Sequence, residues 1–272
     1  MRPDARFRFG ENWQSFSTTI DSENVTEAQN SLKILLKRET LSGLRFLDIG
    51  CGSGLFSLAA RNLGAIVHSF DFDADSVLCI RSLRDSYRPS DAEWTIEQGS
   101  ILDDNQVMRV GTFDIVYAWG VLHHTGNMRH AIKNAAKLVN SGGMLAIALY
   151  RKTLCCPLWT IEKRWYASAS PPAQRLAVAL YVSAMRTRFL LTGKSFNAYV
   201  ASYKNNVRAM DFEHNVRDWL GGYPYESIRP DEVIDFVSKL GFECAHMNCE
   251  PQSIGLFGSG CDEFVFRSSA AR

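Results

Sequence analysis

The sequence lacks several features that would point to a membrane protein, a secreted protein or a nucleic-acid binder. Its 272 residues contain no apolar run near the ~20 residues that a membrane-spanning helix needs. The first residues, 1–8, lack the apolar core of a signal peptide. The net charge is only +1, so the whole molecule has no strong attraction for a polyanion. We therefore expect a cytoplasmic protein whose substrate is not a nucleic acid.

Cysteine usage gives no sign of a metal site or a disulfide framework. The seven cysteines are scattered, only Cys155 and Cys156 are adjacent, and there is no C-x-x-C pair. An odd, scattered set of this kind is typical of a reducing compartment. No cluster of histidine, aspartate or glutamate has the spacing of metal ligands, so we assign no metal.

The most informative pattern that is present is a glycine-rich segment between two short apolar runs. A buried strand is predicted over 46–49 and a helix over 55–63, with Gly50, Gly52 and Gly54 between them. Glycine lets the backbone turn sharply and lets a ligand lie directly against the main chain. The spacing G-x-G-x-G differs from the G-x-G-x-x-G of dinucleotide binders, which opposes an NAD-dependent oxidoreductase.

Two acids flank this glycine segment. Asp48 lies just before it, where a carboxylate can face an ammonium group but would be repelled by a pyrophosphate. Asp71 follows the second predicted strand, 66–70, where a carboxylate can hold both hydroxyls of a ribose. The two acids and the glycine segment together predict a nucleoside-binding site.

The segments D-I-G-C-G-S-G and S-F-D-F-D resemble the first two motifs of the class I S-adenosylmethionine-dependent methyltransferases. The resemblance covers residues 43–150 well and residues 230–267 more weakly. It implies that Asp48 orients the methionine amine of S-adenosyl-L-methionine and that Asp71 holds its ribose. The family's adenine contact, commonly an acid, falls on Ser100. The predicted cofactor-binding residues are Asp48, Gly50, Cys51, Gly52, Gly54, Asp71, Phe72, Ser100, Ile101, Trp119 and Gly120.

Strands and helices alternate over 43–150, which predicts a doubly wound α/β domain. The resemblance implies a mostly parallel, seven-stranded Rossmann-like sheet with a helical insert after the fifth strand. The predicted strands are 46–49, 66–70, 94–97, 113–118 and 144–149, with a closing pair at 242–247 and 263–266. The expected parts are an N-terminal cap segment (1–42), a cofactor-binding core (43–150), a helical substrate lid (151–228) and a C-terminal completion of the sheet (229–272).

The predicted lid differs from the rest of the chain in charge. Residues 151–228 contain eleven lysines and arginines but only five acids. Helices are predicted from Pro171 to near Gly193, over 196–207 and over 210–220. The insert follows a strand whose carboxyl end borders the ligand crevice in such sheets, so we expect it to cover a small acceptor that bears a carboxylate or phosphate. The predicted substrate-contacting residues are Asp211, Arg217, Tyr223 and Tyr225.

Histidine supplies the candidate general bases. His123 and His124 follow the fourth predicted strand, and His214 shares a helix face with Asp211 and Asp218. Imidazole can take a proton near neutral pH, and a neighbouring carboxylate can raise its basicity. We predict His124 and His214 as catalytic residues. A packing role for both is the alternative, because an acceptor that is already a good nucleophile needs only alignment.

The expected function is methyl transfer from S-adenosyl-L-methionine to an oxygen or nitrogen atom of a small molecule. A nucleic-acid methyltransferase and a catalytically silent cofactor-binding module are the alternatives. The segment after the fourth strand reads A-W-G-V-L, which lacks the Asn/Asp-Pro-Pro-Tyr-like motif of enzymes that methylate exocyclic amines. A lipid acceptor bound at the surface of helix 175–191 is a minor alternative, since arginines interrupt its apolar face.

One feature of the N-terminal segment allows two interpretations. Phe7, Phe9, Trp13 and Phe16 are aromatic residues in a polar background before the first strand. They either cover the mouth of the cofactor site or form a small satellite of the core.

Overall fold

A seven-stranded sheet forms the centre of the computed structural model, which describes residues 7, 9–17, 19–203, 211–249 and 251–269. The strands are β1 Arg45–Ile49, β2 Ile66–Asp71, β3 Trp94–Gln98, β4 Phe113–Trp119, β5 Val139–Tyr150, β6 Phe242–Asn248 and β7 Cys261–Ser268. Their order is β3-β2-β1-β4-β5-β7-β6. The first five strands are parallel, whereas β7 runs antiparallel to both β5 and β6.

Helices pack on both faces of this sheet, and further described helices belong to the insert that follows β5. They are α1 Phe9–Ser17, α2 Ser22–Leu36, α3 Leu55–Asn62, α4 Ala74–Tyr87, α5 Asp104–Val110, α6 Met128–Lys137, α7 Cys156–Ser168, α8 Pro171–Leu191, α9 Phe196–Ala201, α10 Phe212–Gly221 and α11 Pro230–Ser238. One core contains side chains of α2, α3 and α4, and the core on the other face contains side chains of α5, α6 and α11. The predicted doubly wound, mostly parallel seven-stranded fold is confirmed.

Burial on both faces explains the continuous apolar runs of the central strands. In β1, Phe46 packs in one core and its neighbour Leu47 in the other, and both are fully buried. Neighbouring residues of a strand point to opposite faces, so a strand covered on both sides needs apolar residues at successive positions.

The strand order reverses direction between β1 and β4, and this reversal positions the functional site. The chain proceeds from β1 to β2 and β3 on one side, and then to β4 and β5 on the other. The connections that leave the carboxyl ends of β1 and β4 therefore diverge and leave a crevice, where open α/β sheets bind their ligands.

The insert between β5 and α11 forms a separate helical layer. A bridge between Arg151 and Ile228 brings its two ends together. Helices α7, α8, α9 and α10 share a third apolar cluster that includes Tyr166, Met185 and Trp219. Among the residues that the structure describes, no helix is both long and apolar enough to cross a membrane.

Several element boundaries differ from those predicted. Helices α2, α5 and α7 had no predicted counterpart, and β5 begins at Val139 rather than Met144 because Val139 pairs with Phe113. The predicted helix 196–207 begins as expected, but α9 ends at Ala201 and residues 204–207 lie outside the described ranges. Helix α10 begins at Phe212 because the Asp211 side chain caps it by accepting from the His214 backbone N–H.

Candidate functional site

A large cavity of about 1900 Å³ lies at the carboxyl edge of the sheet. It is bounded by the loops after β1 to β4, by α1 and by the helices of the insert. Ten of the eleven predicted cofactor-binding residues line it. The exception is Gly54, which begins α3 with a φ of 83°, and the Ile80 side chain leaves no room for a Cβ there.

The Asp71 carboxylate holds the glycine segment in place. One carboxylate oxygen accepts from the Gly52 N–H at 2.9 Å, and the other accepts from the Asp73 N–H at 2.9 Å. Burial raises the pKa of Asp71 to about 6, although these backbone hydrogen bonds lower it. Each carboxylate oxygen has two lone pairs, so the group can still accept hydrogen bonds from a ligand in the cavity.

Asp48 lies at the floor of the same cavity with 3% of its surface exposed. Its carboxylate accepts from the Ser57 hydroxyl, which lies 2.8 Å from the Ser69 hydroxyl. Burial raises the pKa of Asp48 to about 7, the Ser57 hydrogen bond lowers it, and the nearby charge of Asp71 raises it further. A carboxyl with this pKa is only partly ionised at neutral pH, and a cation beside it would favour the ionised form.

Helix α1 covers the glycine segment. Trp13 lines the cavity, and its ring would lie 3.0 Å from a Cβ at Gly52, whose φ is 52°. The Gly10 N–H donates to the Asp73 carboxylate at 2.9 Å, which fixes α1 to the head of α4. Phe7, Phe9 and Phe16 also line the cavity, and Phe16 belongs to the main core as well. The aromatic segment thus lines the cavity and also packs against the core, since Phe16 is part of that core and Trp13 packs against it.

The segments after β3 and β4 form the next part of the wall. Ser100 and Ile101 line the cavity, and the Ser100 hydroxyl accepts from the Leu102 N–H at 3.2 Å. Trp119 also lines it, and its indole N–H donates to Glu263 of β7 at 2.7 Å. That hydrogen bond fixes the orientation of the indole ring at the carboxyl end of β4.

The two adjacent histidines have different environments. His123 is fully buried, and its Nδ1 accepts from the Tyr150 N–H at 3.3 Å, while burial lowers its pKa well below the ordinary value. His124 lines the cavity, and its Nδ1 lies 2.7 Å from the carbonyl oxygen of Pro224. A carbonyl only accepts, so Nδ1 of His124 carries the proton and Nε2 is the basic nitrogen of the neutral ring.

The second predicted base, His214, lies elsewhere. Its Nδ1 contacts the carboxylate of Asp211 rather than that of Asp218, and its ring packs against Phe16. Within the described parts of the chain, His214 is not among the residues that line the cavity. The sequence also allowed His214 to pair with Asp218, four residues later. In the structure it pairs instead with Asp211, the residue that caps α10.

The insert contributes a largely aromatic wall that the sequence did not single out. Its cavity-lining residues are Tyr181, Met185, Arg188, Tyr199, Tyr203, Phe212, Asn215, Val216, Asp218 and Trp219. The only sequence signal for this wall is the general richness of the insert in aromatic residues, which does not indicate which ring faces the cavity.

The four residues predicted to contact substrate have other positions in the described structure. Asp211 caps α10, and Arg217 is exposed on α10 away from the cavity lining. The Tyr225 hydroxyl lies 3.2 Å from the Cys156 sulfur inside the cluster of the insert, and Tyr223 also lies outside the lining. Helix α10 presents Asn215, Asp218 and Trp219 to the cavity instead, at the three- and four-residue steps of one helix face.

Asp218 is the acid on the insert side of the cavity. Burial raises its pKa to about 7, opposed by the charge of Lys163 and a hydrogen bond from Asn12. Lys163 is fully buried, its Nζ lies 3.7 Å from the centroid of the Trp219 ring, and burial lowers its pKa. No sequence pattern indicates that Lys163 is buried, because it is one of eleven cations in the insert. Among the described residues, no three histidine, cysteine or acidic side chains form a metal-binding group.

Comparison with known proteins identifies the core of the chain. Residues 47–145 match the methyltransferase domain family. The ubiquinone biosynthesis O-methyltransferase of Caulobacter sp. (strain K31) is 31% identical over 123 residues, which cover 43% of this chain and 45% of the relative. The protein of the same name from Glaesserella parasuis serovar 5 is 32% identical over 117 residues, 43% of this chain and 50% of the relative. The chain thus spans about half the length of these curated relatives.

Solved structures share the fold across most of the chain. Magnesium protoporphyrin IX methyltransferase from Synechocystis PCC 6803, with bound S-adenosylhomocysteine, has a TM-score of 0.54 at 15% identity and covers 90% of this chain and 83% of its own. PKMT2 from Rickettsia typhi has a TM-score of 0.57 at 12% identity, covering 89% of this chain and 52% of its own. At these identities the likeness concerns the fold alone.

We expect Asp48→Asn to stabilise the protein without ligand at alkaline pH. The folded protein keeps the Asp48 proton up to a pKa of about 7, whereas the unfolded chain releases it near 3.8, so the contribution of Asp48 to stability falls as pH rises between these values. Asparagine cannot ionise, and its advantage at pH 8 should be on the order of 1–4 kcal/mol.

Urea denaturation at pH 5 and pH 8 measures this difference in the free energy of unfolding. The gap between the variant and the wild type should be much larger at pH 8. Asp85→Asn, at an exposed position of α4, serves as the control and should leave the pH dependence unchanged. An Asp48→Asn variant that is destabilised equally at both pH values would contradict the burial argument.

Proposed function

Because the chain carries a class I S-adenosylmethionine-dependent methyltransferase domain, we propose that it transfers a methyl group from this cofactor to an oxygen or nitrogen atom of a small acceptor. The observation that carries this proposal is the continuity of the cavity. Asp48, Asp71 and the glycine segment line one part of it, and the aromatic wall of the insert lines another. Two ligands could therefore meet inside one cavity.

The first part of the cavity fits S-adenosylmethionine by the chemistry of its donors and acceptors. The cofactor, when bound, supplies an electrophilic methyl group on a sulfonium. In the proposed arrangement Asp48 pairs with the cationic amino group, because a buried carboxyl with a pKa of about 7 is stabilised in its ionised form by a cation. Asp71 accepts from the ribose hydroxyls, and Ser100 and Ile101 contact the adenine.

The second part of the cavity fits an acceptor with a flat apolar portion. Tyr181, Tyr199, Phe212 and Trp219 offer ring faces and edges, on which apolar and aromatic groups pack favourably. Arg188 is the cation of the described insert that lines the cavity, and its guanidinium lies 5.1 Å from the centroid of the Phe257 ring. We assign to Arg188 the anionic group expected of the acceptor, in place of Arg217, which points elsewhere.

His124 is the residue best placed to take a proton from an acceptor hydroxyl. Its Nδ1–H donates to the Pro224 carbonyl, and this hydrogen bond makes Nε2 the proton acceptor of the ring. Asp218 lines the same cavity and, with a pKa of about 7, could share this task above neutral pH. His214 lies outside the lining, so a role for it would have to be indirect.

Removal of the Asp71 carboxylate tests the cofactor assignment. Asp71→Ala should weaken S-adenosylhomocysteine binding at least about tenfold, because each charge-assisted hydrogen bond contributes ~1.5–3 kcal/mol. Isothermal titration calorimetry measures the affinity, and circular dichroism shows whether the fold is kept. Asp75→Ala is the matched control, since Asp75 lies at the head of α4 outside the lining and should leave the affinity unchanged. Equal affinities of all three proteins would refute the assignment.

Substitution of the two predicted bases tests the proton transfer. His124→Asn should lower kcat by ~10²–10⁴ if His124 accepts the proton, with cofactor affinity kept. His214→Asn should keep most of kcat and serves as the control. Both variants are assayed by transfer of a labelled methyl group to a confirmed acceptor. If His124→Asn keeps the wild-type rate, the acceptor is already nucleophilic and the cavity supplies only alignment.

Substitution of Arg188 tests the acceptor class. Arg188→Gln should raise the KM for an anionic acceptor about tenfold or more and leave the affinity for S-adenosylhomocysteine unchanged, because an ion pair contributes on this scale when partly desolvated. Arg186→Gln removes a neighbouring cation that packs on Phe196 outside the lining, and it should change neither quantity. A KM that does not respond to Arg188→Gln would argue for an uncharged acceptor.

A further inference from the structure

The first helix of the insert leaves a continuous apolar stripe exposed. Leu154, just before α7, is 83% exposed, and Leu158, Ile161 and Trp165 along α7 are 68%, 68% and 48% exposed. Their spacing of four, three and four residues places them on one side of the helix. The opposite side, with Cys156, Lys163 and Tyr166, is buried. A soluble helix of a monomer normally presents polar residues on its exposed side.

The second helix of the insert also leaves apolar side chains exposed. Only residues 169 and 170 separate α7 from α8, so the two helices form a hairpin. Leu176 and Leu180 are 61% and 63% exposed, and Leu190 and Leu191 are exposed at the far end of α8. The side that lines the cavity is a different one, marked by Tyr181 and Met185. Exposed apolar side chains on both helices of one hairpin indicate an interaction surface.

The exposed charge of the hairpin and of the residues that flank it is positive. Residues 151–203 contain eight lysines and arginines and one acid, Glu162. The acid is partly buried, so it contributes little to the outer surface. The exposed cations outside the cavity lining are Lys152, Arg164, Arg175, Arg186 and Lys194. The partner of this surface must therefore be apolar in part and negatively charged.

We propose that the α7–α8 hairpin binds the surface of a bilayer that contains anionic lipids. Leucine, isoleucine and tryptophan on one side of a helix, with arginine and lysine beside them, is the composition that inserts at the boundary between head groups and acyl chains. The basic residues match the negative potential of anionic head groups. The arginines that interrupt the apolar pattern in the sequence are the head-group contacts.

A second copy of the chain fits this surface less well. A twofold contact would place the same basic surface on both sides of the interface, and like charges across an interface oppose association. The binding is independent of the proposed methyl transfer, because neither the cofactor nor an acceptor is needed for it. Binding at this surface would also involve a wall of the cavity, since α8 contributes both to the bound surface and to the cavity wall.

Flotation of the full chain with vesicles tests the proposal. The wild type should float with vesicles of phosphatidylcholine and phosphatidylglycerol but not with phosphatidylcholine alone, and the binding should weaken as salt rises. Leu158→Glu and, separately, Leu180→Glu should lower binding at least about tenfold, because each removes an exposed apolar side chain that would insert into the bilayer and adds a negative charge. Leu78→Glu, at an exposed leucine of α4, is the matched control and should bind as the wild type does.

The outcomes separate the candidate partners. Circular dichroism and thermal melting confirm that each variant is folded, and the two helices provide independent substitutions. No flotation of the wild type with anionic vesicles at low salt would overturn the proposal and leave an acidic protein as the candidate partner. If Leu78→Glu lost as much vesicle binding as the two hairpin variants, the proposal would also be overturned. A dimer in light scattering that Leu158→Glu dissociates, without vesicle binding, would assign the surface to a second copy.

Discussion

The carboxylate that ends β2 joins several of the segments that line the cavity around the glycine segment. Asp71 accepts from the backbone of Gly52 and from that of Asp73, so it joins the loop after β1 to the head of α4. Asp73 caps α4 and accepts from Gly10, which brings α1 over the loop. Asp71 and Asp73 thus join four parts of the chain, namely the loop after β1, the end of β2, the head of α4 and helix α1. Because Gly52 has no side chain, the Trp13 ring can lie directly on the loop that Asp71 fixes.

Three carboxyl groups that line the cavity, those of Asp48, Asp71 and Asp218, are hard to ionise because they are buried. Burial raises the pKa of Asp48 and Asp71 on the cofactor side and of Asp218 on the insert side. The apolar walls that raise these pKa values also strengthen any interaction with a cationic ligand, because the local dielectric constant is low. Stability without ligand and affinity for a cation therefore depend on the same burial.

The insert uses one helix for two surfaces. In α8, Leu180 is exposed whereas its neighbour Tyr181 lines the cavity. Successive residues of an α-helix point about 100° apart, so a helix that is apolar over more than half its circumference can serve an interior and an exterior at once. Such a helix has a weak amphipathic pattern, and the arginines at Arg175 and Arg186 make the pattern weaker still. The sequence alone therefore suggested a surface lipid only as a minor alternative.

The sequence by itself determined the core fold and most of the part of the cavity that Asp48, the glycine segment and Asp71 line. Asp48 lies in β1, the glycines lie in the loop that follows it, and Asp71 ends β2; short connections in a parallel sheet leave little freedom in where such residues end up. Only the tertiary structure decided which residues of the insert border the cavity. The face that α10 presents depends on how it packs against α1 and α7, so Asp218 rather than Arg217 borders the cavity. The same holds for His124 and its buried neighbour, because adjacent residues with identical side chains carry no local signal of which one meets solvent, ligand or core.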